Sequence, residues 1–382
     1  MIFLLLLLLP SQLGLHFWPG WALVNGIRVD YLSPTFYLTD LIIFIIWAFN
    51  HFKLKVPFVA IVLIVLNIFF SLSPLTSIFK WLRILEYFWF FKYLTKSAQC
   101  SVLSAQGLKI SIIWTCILAG LQFIKQSSVG GWWYLLGERN FNIFTPNIAK
   151  VFFGELLLRP YATLSHPNVL GGWLVVAGIL TGGWSMAIAF TTILVTFSRT
   201  AIFASLTAII FFKRHYSLLP LLLLPFLIPG SPDSWSGRRE LFQASINIIQ
   251  THPLFGTGLG NFVRLTQDYG FQPVHNVFLL AISELGIPLF LVFGYLIIGL
   301  LKHLLKIVNC PPAEASRFSG MRAGKLKIIV AVILITAAMD HYWWTNPQMQ
   351  LLFSLLVIIA VKYPHGKIAD IYRRWRPGKP RS

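Results

Sequence analysis

The sequence predicts an all-α, polytopic membrane protein with about twelve helical spans and one long extracytoplasmic loop. Three observations lead there. Of the 382 residues, 57% are hydrophobic and only 11% charged, whereas a soluble domain carries about 25% charged residues. Apolar runs such as "PFVAIVLIVLNIFFSL" approach the roughly 20 residues of a membrane-crossing helix. They lack the period-2 alternation of a barrel strand, the other structure that satisfies its backbone in lipid.

In chain order the predicted spans are 2–15, 36–50, 56–72, 79–95, 106–124, 166–182, 185–198, 200–212, 216–230, 275–301, 324–340 and 348–363. The opening "MIFLLLLLLP" has no charged leader and no small-residue cleavage site, so it reads as a retained span. The chain is expected to form a single integral membrane domain, 1–382, with its long outer loop at 231–274 and a basic tail at 364–382. Cys100, Cys116 and Cys310 fall in or on the cytoplasmic side of the membrane and offer neither a disulfide framework nor a metal cluster.

The net charge of +19 raises the question of nucleic acid, and position answers it. With the N-terminus inside, 20 of the 31 basic residues fall on the cytoplasmic side, seven of them in the tail. That partition follows the positive-inside rule. The excess is therefore a topology signal, with anionic-lipid contact by "YRRWRPGKPRS". No nucleic-acid partner is expected.

Three polar stretches then lie outside: 16–35, 125–165 and 231–274. Trp18 and Trp21 in the first suit an interfacial belt. The other two carry "RPYATLSHPNVLGG", "SGRRELFQAS" and "HPLFGTGLGNF". Between them "FSRTA" puts Arg199 at a tight hairpin between two spans, and polar groups pinned at a membrane edge are functional by default. The span at 275 opens on "HN", followed after nine residues by Gly286. Together these strings resemble the O-antigen ligase and polymerase superfamily of bacterial envelope glycan enzymes. The resemblance implies a GT-C-like membrane glycosyltransferase of the bacterial inner membrane. It would work without a metal or cofactor, moving a glycan from undecaprenyl diphosphate to a glycan, lipid A core or protein acceptor on the extracytoplasmic face.

The residues fit that chemistry on their own terms. A lipid diphosphate is already a good leaving group, so the enzyme must stabilise its charge and help deprotonate the acceptor. Arginine stays charged and presents a planar fork to phosphate oxygens. Arg199 is the first choice, with a snorkelling helix-end arginine as the plain alternative. Arg238 is the second: Leu241, Ser245 and Ile248 follow at helical spacing, so it can hang over an apolar face. Arg159 and Arg239 are assigned to substrate binding. His275 is the general base, because an unperturbed histidine titrates near pH 6.5; a capping interfacial histidine is the alternative. Asn276 would orient it or hold a sugar hydroxyl, and His166 is read as ordering its loop.

Glu284 stands about 13 Å along the helix and half a turn away from His275, so it is read as a buried structural carboxyl bonded to a neighbouring helix. Lys80, Arg83 and Glu86 recur at three-residue spacing. They form either a cationic rail for the lipid diphosphate or an internal Arg83–Glu86 pair. "GTGLG" is read as a turn. No outer loop carries an Asp-x-Asp pair, so no metal site is expected. Two alternatives stay open: a polymerase of the same superfamily, and a transporter or flippase, which would place its charges near mid-span in broken helices.

Overall fold

In the computed structural model, residues 1–50, 56–96, 103–213, 216–228, 232–308 and 323–361 are described. They form a helical bundle with two polar excursions at one end. The helices are α1 (Ile2–Leu7), α2 (Leu38–Phe49), α3 (Phe58–Phe69), α4 (Pro74–Lys96), α5 (Leu103–Lys125), α6 (Pro167–Thr181), α7 (Gly183–Val195), α8 (Arg199–Lys213), α9 (Pro232–Thr251), α10 (Val277–Val308), α11 (Ala323–Met339), α12 (Tyr342–Thr345) and α13 (Pro347–Val361). Three antiparallel ribbons decorate the excursions: β1 (Gly14–His16) with β4 (Thr35–Tyr37), β2 (Leu23–Val24) with β3 (Ile27–Arg28), and β5 (Lys150–Phe153) with β6 (Glu155–Leu158).

The bundle centres on α6, whose run Trp173–Leu174–Val175–Val176–Ala177 is wholly buried. It packs against α5, α7, α8 and α11. Around this core the polarity is that of a lipid-facing protein. Helix α3 buries only Asn67 while exposing Phe58 and Phe69 by 77% and 75%, the reverse of a water-facing helix. Two described helices, Gln106–Lys125 in α5 and Val277–Gly299 in α10, are long and apolar enough to cross a bilayer. Five more apolar helices (α2, α3, α6, α7 and α8) are shorter than the roughly 20 residues of a perpendicular crossing.

Two predicted spans need correction. The stretch 2–15 is not one helix: α1 ends after six residues and the chain pairs as β1 with β4. Pro10 lacks the N–H that a continuing helix would use. The stretch 216–230 contains a 3₁₀ segment, Tyr216–Leu227, because Pro220 and Pro225 each interrupt the α ladder.

Helix α10 breaks at Gly286, whose φ of 74° and ψ of 165° leave the helical region. The break is where the "HPLFGTGLGNF" turn docks. The freed carbonyls accept from that turn and from α3: Thr257 N donates to Ser283 O (2.9 Å) and Asn67 Nδ2 to Glu284 O (2.9 Å). In return Ile287 N donates to Pro253 O at 2.8 Å. A Cβ on Gly286 would stand 2.4 Å from the Leu254 carbonyl oxygen, and one on Gly256 2.5 Å from that of Glu284. Two backbones therefore meet at a distance only glycine permits. "GTGLG" is a turn, as read from the sequence.

Candidate active site at one end of the bundle

Five chain segments converge at the end of the bundle where α6 and α10 begin and α11 finishes. The α7–α8 hairpin contributes the carbonyl of Thr196, which accepts from Arg159 Nε at 2.7 Å. Arg159 Nη2 donates to Asn168 Oδ1, also at 2.7 Å, so its fork joins the hairpin to the start of α6. Asn168 Nδ2 then donates to Asp340 Oδ2 at 3.0 Å, just past the end of α11. His275 Nδ1 faces Asp340 Oδ1 at 3.5 Å, long for a hydrogen bond, and the His275 and His341 rings lie 5.2 Å apart. Arg238, half-buried on α9, reaches the Met339 carbonyl at 3.4 Å. As the helical spacing predicts, Leu241, Ser245 and Ile248 are buried on its side of α9.

The electrostatics follow from this crowding. Burial pushes the Arg159 guanidinium down to about 10, and Arg199 and Arg238 nearby push in the same direction, against the pull of Tyr161 and Asp340. The charges of Arg199 and Arg238 therefore bear on Arg159. Burial raises the Asp340 carboxyl, but His275, His341 and His166 outweigh it and hold the group well below the usual carboxylate range. Burial lowers His341 to about 4 and His166 to about 3, so both are neutral at physiological pH.

The remaining predicted residues take other places. Asn276 caps α10, accepting from the amides of Phe278 (2.9 Å) and Leu279 (3.0 Å), and it donates to the Ala338 carbonyl at 3.0 Å. Its side chain therefore orients the His275 segment. Arg239 is exposed on α9. None of the described contacts brings Lys80 or Arg83 to the cluster. Arg83 pairs with Asp40 of α2, at closer range than with Glu86 (3.8 Å), and donates to the Thr35 carbonyl. Lys80 sits over the Tyr31 ring at 4.6 Å. The rail expected along α4 is thus corrected for Arg83: its fork is taken up inside the fold. Glu284 accepts from Tyr31 Oη and Trp344 Nε1, each at 2.9 Å, and joins the first excursion to α12. That agrees with its reading as a structural carboxyl.

Asn168, Asp340 and His341 had no assigned role in the sequence reading. An available signal was "MDHYWW", an Asp–His pair directly after the apolar run of α11. Ligand atoms of His275, Asp340 and His341 lie within 4.8 Å of one another, a set capable of holding a metal ion. The expectation of no metal site looked for spacing within one loop. The fold instead gathers residues from two distant segments.

Residues 229–294 match the family model of O-antigen ligase. No curated protein matches the chain. The match runs from the start of α9 past the break in α10 and includes Arg238, His275 and Asn276. It supports the O-antigen ligase and polymerase superfamily for this mostly helical, membrane-type chain.

Proposed function

We propose that this protein is a membrane glycosyltransferase that moves an oligo- or polysaccharide from undecaprenyl diphosphate to an acceptor hydroxyl on the extracytoplasmic face of a bacterial inner membrane. The observation that carries the reading is the His275–Asp340 pair with Arg159 tied to it through Asn168 and Arg238 at the neighbouring Met339 carbonyl, the charge of Arg199 bearing on Arg159. In the step, the acceptor oxygen bonds to the anomeric carbon while the bond from that carbon to the diphosphate breaks. The diphosphate leaves with the electron pair, and the acceptor proton passes to His275. Nδ1 faces Asp340 Oδ1 at 3.5 Å, so Nε2 is the nitrogen left to take the proton, and the carboxylate stabilises the imidazolium that results. The arginines meet the charge that grows on the diphosphate, a role strengthened by the low dielectric at a membrane edge. The same site serves a ligase or a polymerase, which differ in the acceptor.

The test is the initial rate on a lipid-diphosphate donor by the purified protein. His275→Ala should lower it by about 10²–10⁴-fold with donor binding retained. Near-wild-type turnover would remove His275 from the mechanism.

Two observations favour other readings. The His275–Asp340–His341 set admits a metal ion, but the charges of Arg159 and Arg238 already bear on Asp340 and His341, and like charges oppose binding of a cation. EDTA should leave the rate unchanged; loss restored by Mg²⁺ or Mn²⁺ would establish a metal. The broken helix α10, with Glu284 buried beside it, is a transporter-like feature. Its freed carbonyls are already taken by the docked turn and Asn67, which fits a static joint better than an ion path.

A further inference from the structure

Beside the catalytic cluster the 139–148 loop and the start of α6 enclose a cleft of about 260 Å³. That is near the low end of the roughly 300–1,000 Å³ of small-molecule sites, room for one or two sugar rings. Its rim carries Asn140, Thr145, Asn147, Ser165 and His166, with Arg139 as the single formal charge in the lining. Amides and hydroxyls both donate and accept hydrogen bonds, which is what a sugar hydroxyl requires of its partners. With no carboxylate in the lining, the cleft is unsuited to a metal or an ammonium group.

The floor is held rigidly. Tyr161 is buried, and its hydroxyl accepts from Ala149 N at 2.7 Å. Its ring lies under the Arg139 guanidinium at 5.2 Å and beside Phe141 at 5.2 Å. Arg139 is fixed in turn by donating to the Ser165 carbonyl at 2.9 Å. Below them, Gln122 Oε1 accepts from Tyr161 N and Ala162 N, at 3.0 and 2.8 Å, and its amide donates to the Ala162 carbonyl at 2.9 Å. This holds Ala162 at a φ of 51°, in the left-handed region. A site whose polar groups are fixed before binding loses less entropy when it is filled.

His166 connects the cleft to the chemistry. It lines the cleft, and its Nδ1 accepts from Asn168 N at 3.1 Å. A neutral imidazole accepting at Nδ1 carries its proton on Nε2, and so can donate there to a sugar oxygen. Asn168 in turn bonds Asp340, which faces His275. A chain lying in the cleft would thus lie against the residue that leads, through Asn168 and Asp340, to the proposed base.

We propose that this cleft is a saccharide subsite that holds a sugar of the glycan chain next to the reacting hydroxyl or anomeric carbon. The inference rests on the glycan-transfer reading above for its ligand class. The chain held there is either the acceptor glycan or the donor glycan, and the experiment separates them.

Full-length protein in nanodiscs is titrated with two saccharides from the host envelope, each freed of lipid by mild acid. One is the core oligosaccharide and the other the repeat-unit oligosaccharide; binding is followed by saturation-transfer NMR. The wild type and His275→Ala should both bind one of the two saturably, which names the source. Asn147→Trp, which plugs the cleft, and Asn140→Ala should each weaken that binding by about tenfold or more. Asn147 and Asn140 are exposed, so both variants should keep the wild-type elution profile, with a small drop in thermal midpoint because Asn147 sits at a φ of 59° and Asn140 Oδ1 accepts from Ser128 Oγ at 3.2 Å. Binding of neither saccharide by the wild type, or equal binding by both variants, overturns the subsite. Saturable, cleft-sensitive binding by a protein that turns over no lipid-diphosphate donor would instead keep the subsite and refute the transfer reading.

Discussion

Asp340 is where one side chain does the most. It accepts from Asn168 Nδ2 and His341 N and faces His275, so its charge orders two histidines and the start of α6. Asp340→Asn should keep the shape but offer His275 an amide in place of a carboxylate, and we expect a rate loss of about 10²-fold or more on the lipid-diphosphate donor. Wild-type turnover would reduce Asp340 to a structural role. Arg199 permits a sharper exchange. If it only snorkels, lysine reaches the interface equally well. If it holds two diphosphate oxygens, Arg199→Lys keeps the charge and loses the fork, at about 10²–10³ in rate. Equal rates at matched membrane levels would return Arg199 to the snorkelling role. The titrating groups also give a pH dependence. His341 and His166 have folded values of about 4 and about 3, below their unfolded value, and Asp340 is likewise depressed. The unfolded chain therefore binds more protons below about pH 6.5, so stability rises with pH there and is lost on acidification. Lowering the pH from about 6.5 to 4 should lower the thermal midpoint of the wild type, and His341→Asn should flatten that decline. A midpoint insensitive to pH in this window would contradict the buried, neutral state of these histidines.

Among the elements, the break in α10 sets where the site sits, because it fixes the turn after α9 against α3. Gly286→Ala would place a Cβ 2.4 Å from the Leu254 carbonyl at a φ of +74°, which should cost about 1–3 kcal/mol. Gly294→Ala, on the same helix with nothing within 4 Å, should be neutral or slightly stabilising. Equal thermal midpoints for the two variants would mean that the joint is not rigid. This element was partly legible in the sequence. The sequence placed the start of α10 at "HN" and read "GTGLG" as a turn, but it predicted one unbroken span over 275–301, and the break at Gly286 came only with the structure. The pairing of the turn with the break was not visible, since it depends on backbone contacts between segments about thirty residues apart. Arg83 is the clearer case. Its spacing with Glu86 implied a local pair, while its shorter ion pair is with Asp40, 43 positions earlier and on another helix. Asp340 escaped notice for the same reason: only folding brings it to Asn168, 172 positions away. Apolar length identified most helices but overestimated two, where Pro10 and the prolines of 216–230 break the ladder.

At the scale of the whole molecule, which face carries the site is the question every mechanistic step depends on. Two helices are long and apolar enough to cross a bilayer. Val277–Gly299 stands between His275 and Lys302, and Gln106–Lys125 has Lys109 near one end and the 126–166 segment that carries the cleft beyond the other. His166 and Asn168 tie that segment to Asp340 and His275, so the far ends of both crossings share one face. On the proposed reading, the basic partition expected from the sequence, 20 of 31 residues on the opposite side, puts that face outside. The prediction uses single cysteines at Ser236, exposed near the start of α9, and at Ser316, which lies outside the described residues. Each is introduced into a background without Cys100, Cys116 and Cys310. In intact spheroplasts an impermeant thiol reagent should label position 236 at once and position 316 only after the membrane is opened. The converse pattern would put the arginines and His275 in the cytoplasm, away from a glycan exported on its lipid carrier, and the transfer mechanism would fall with the topology.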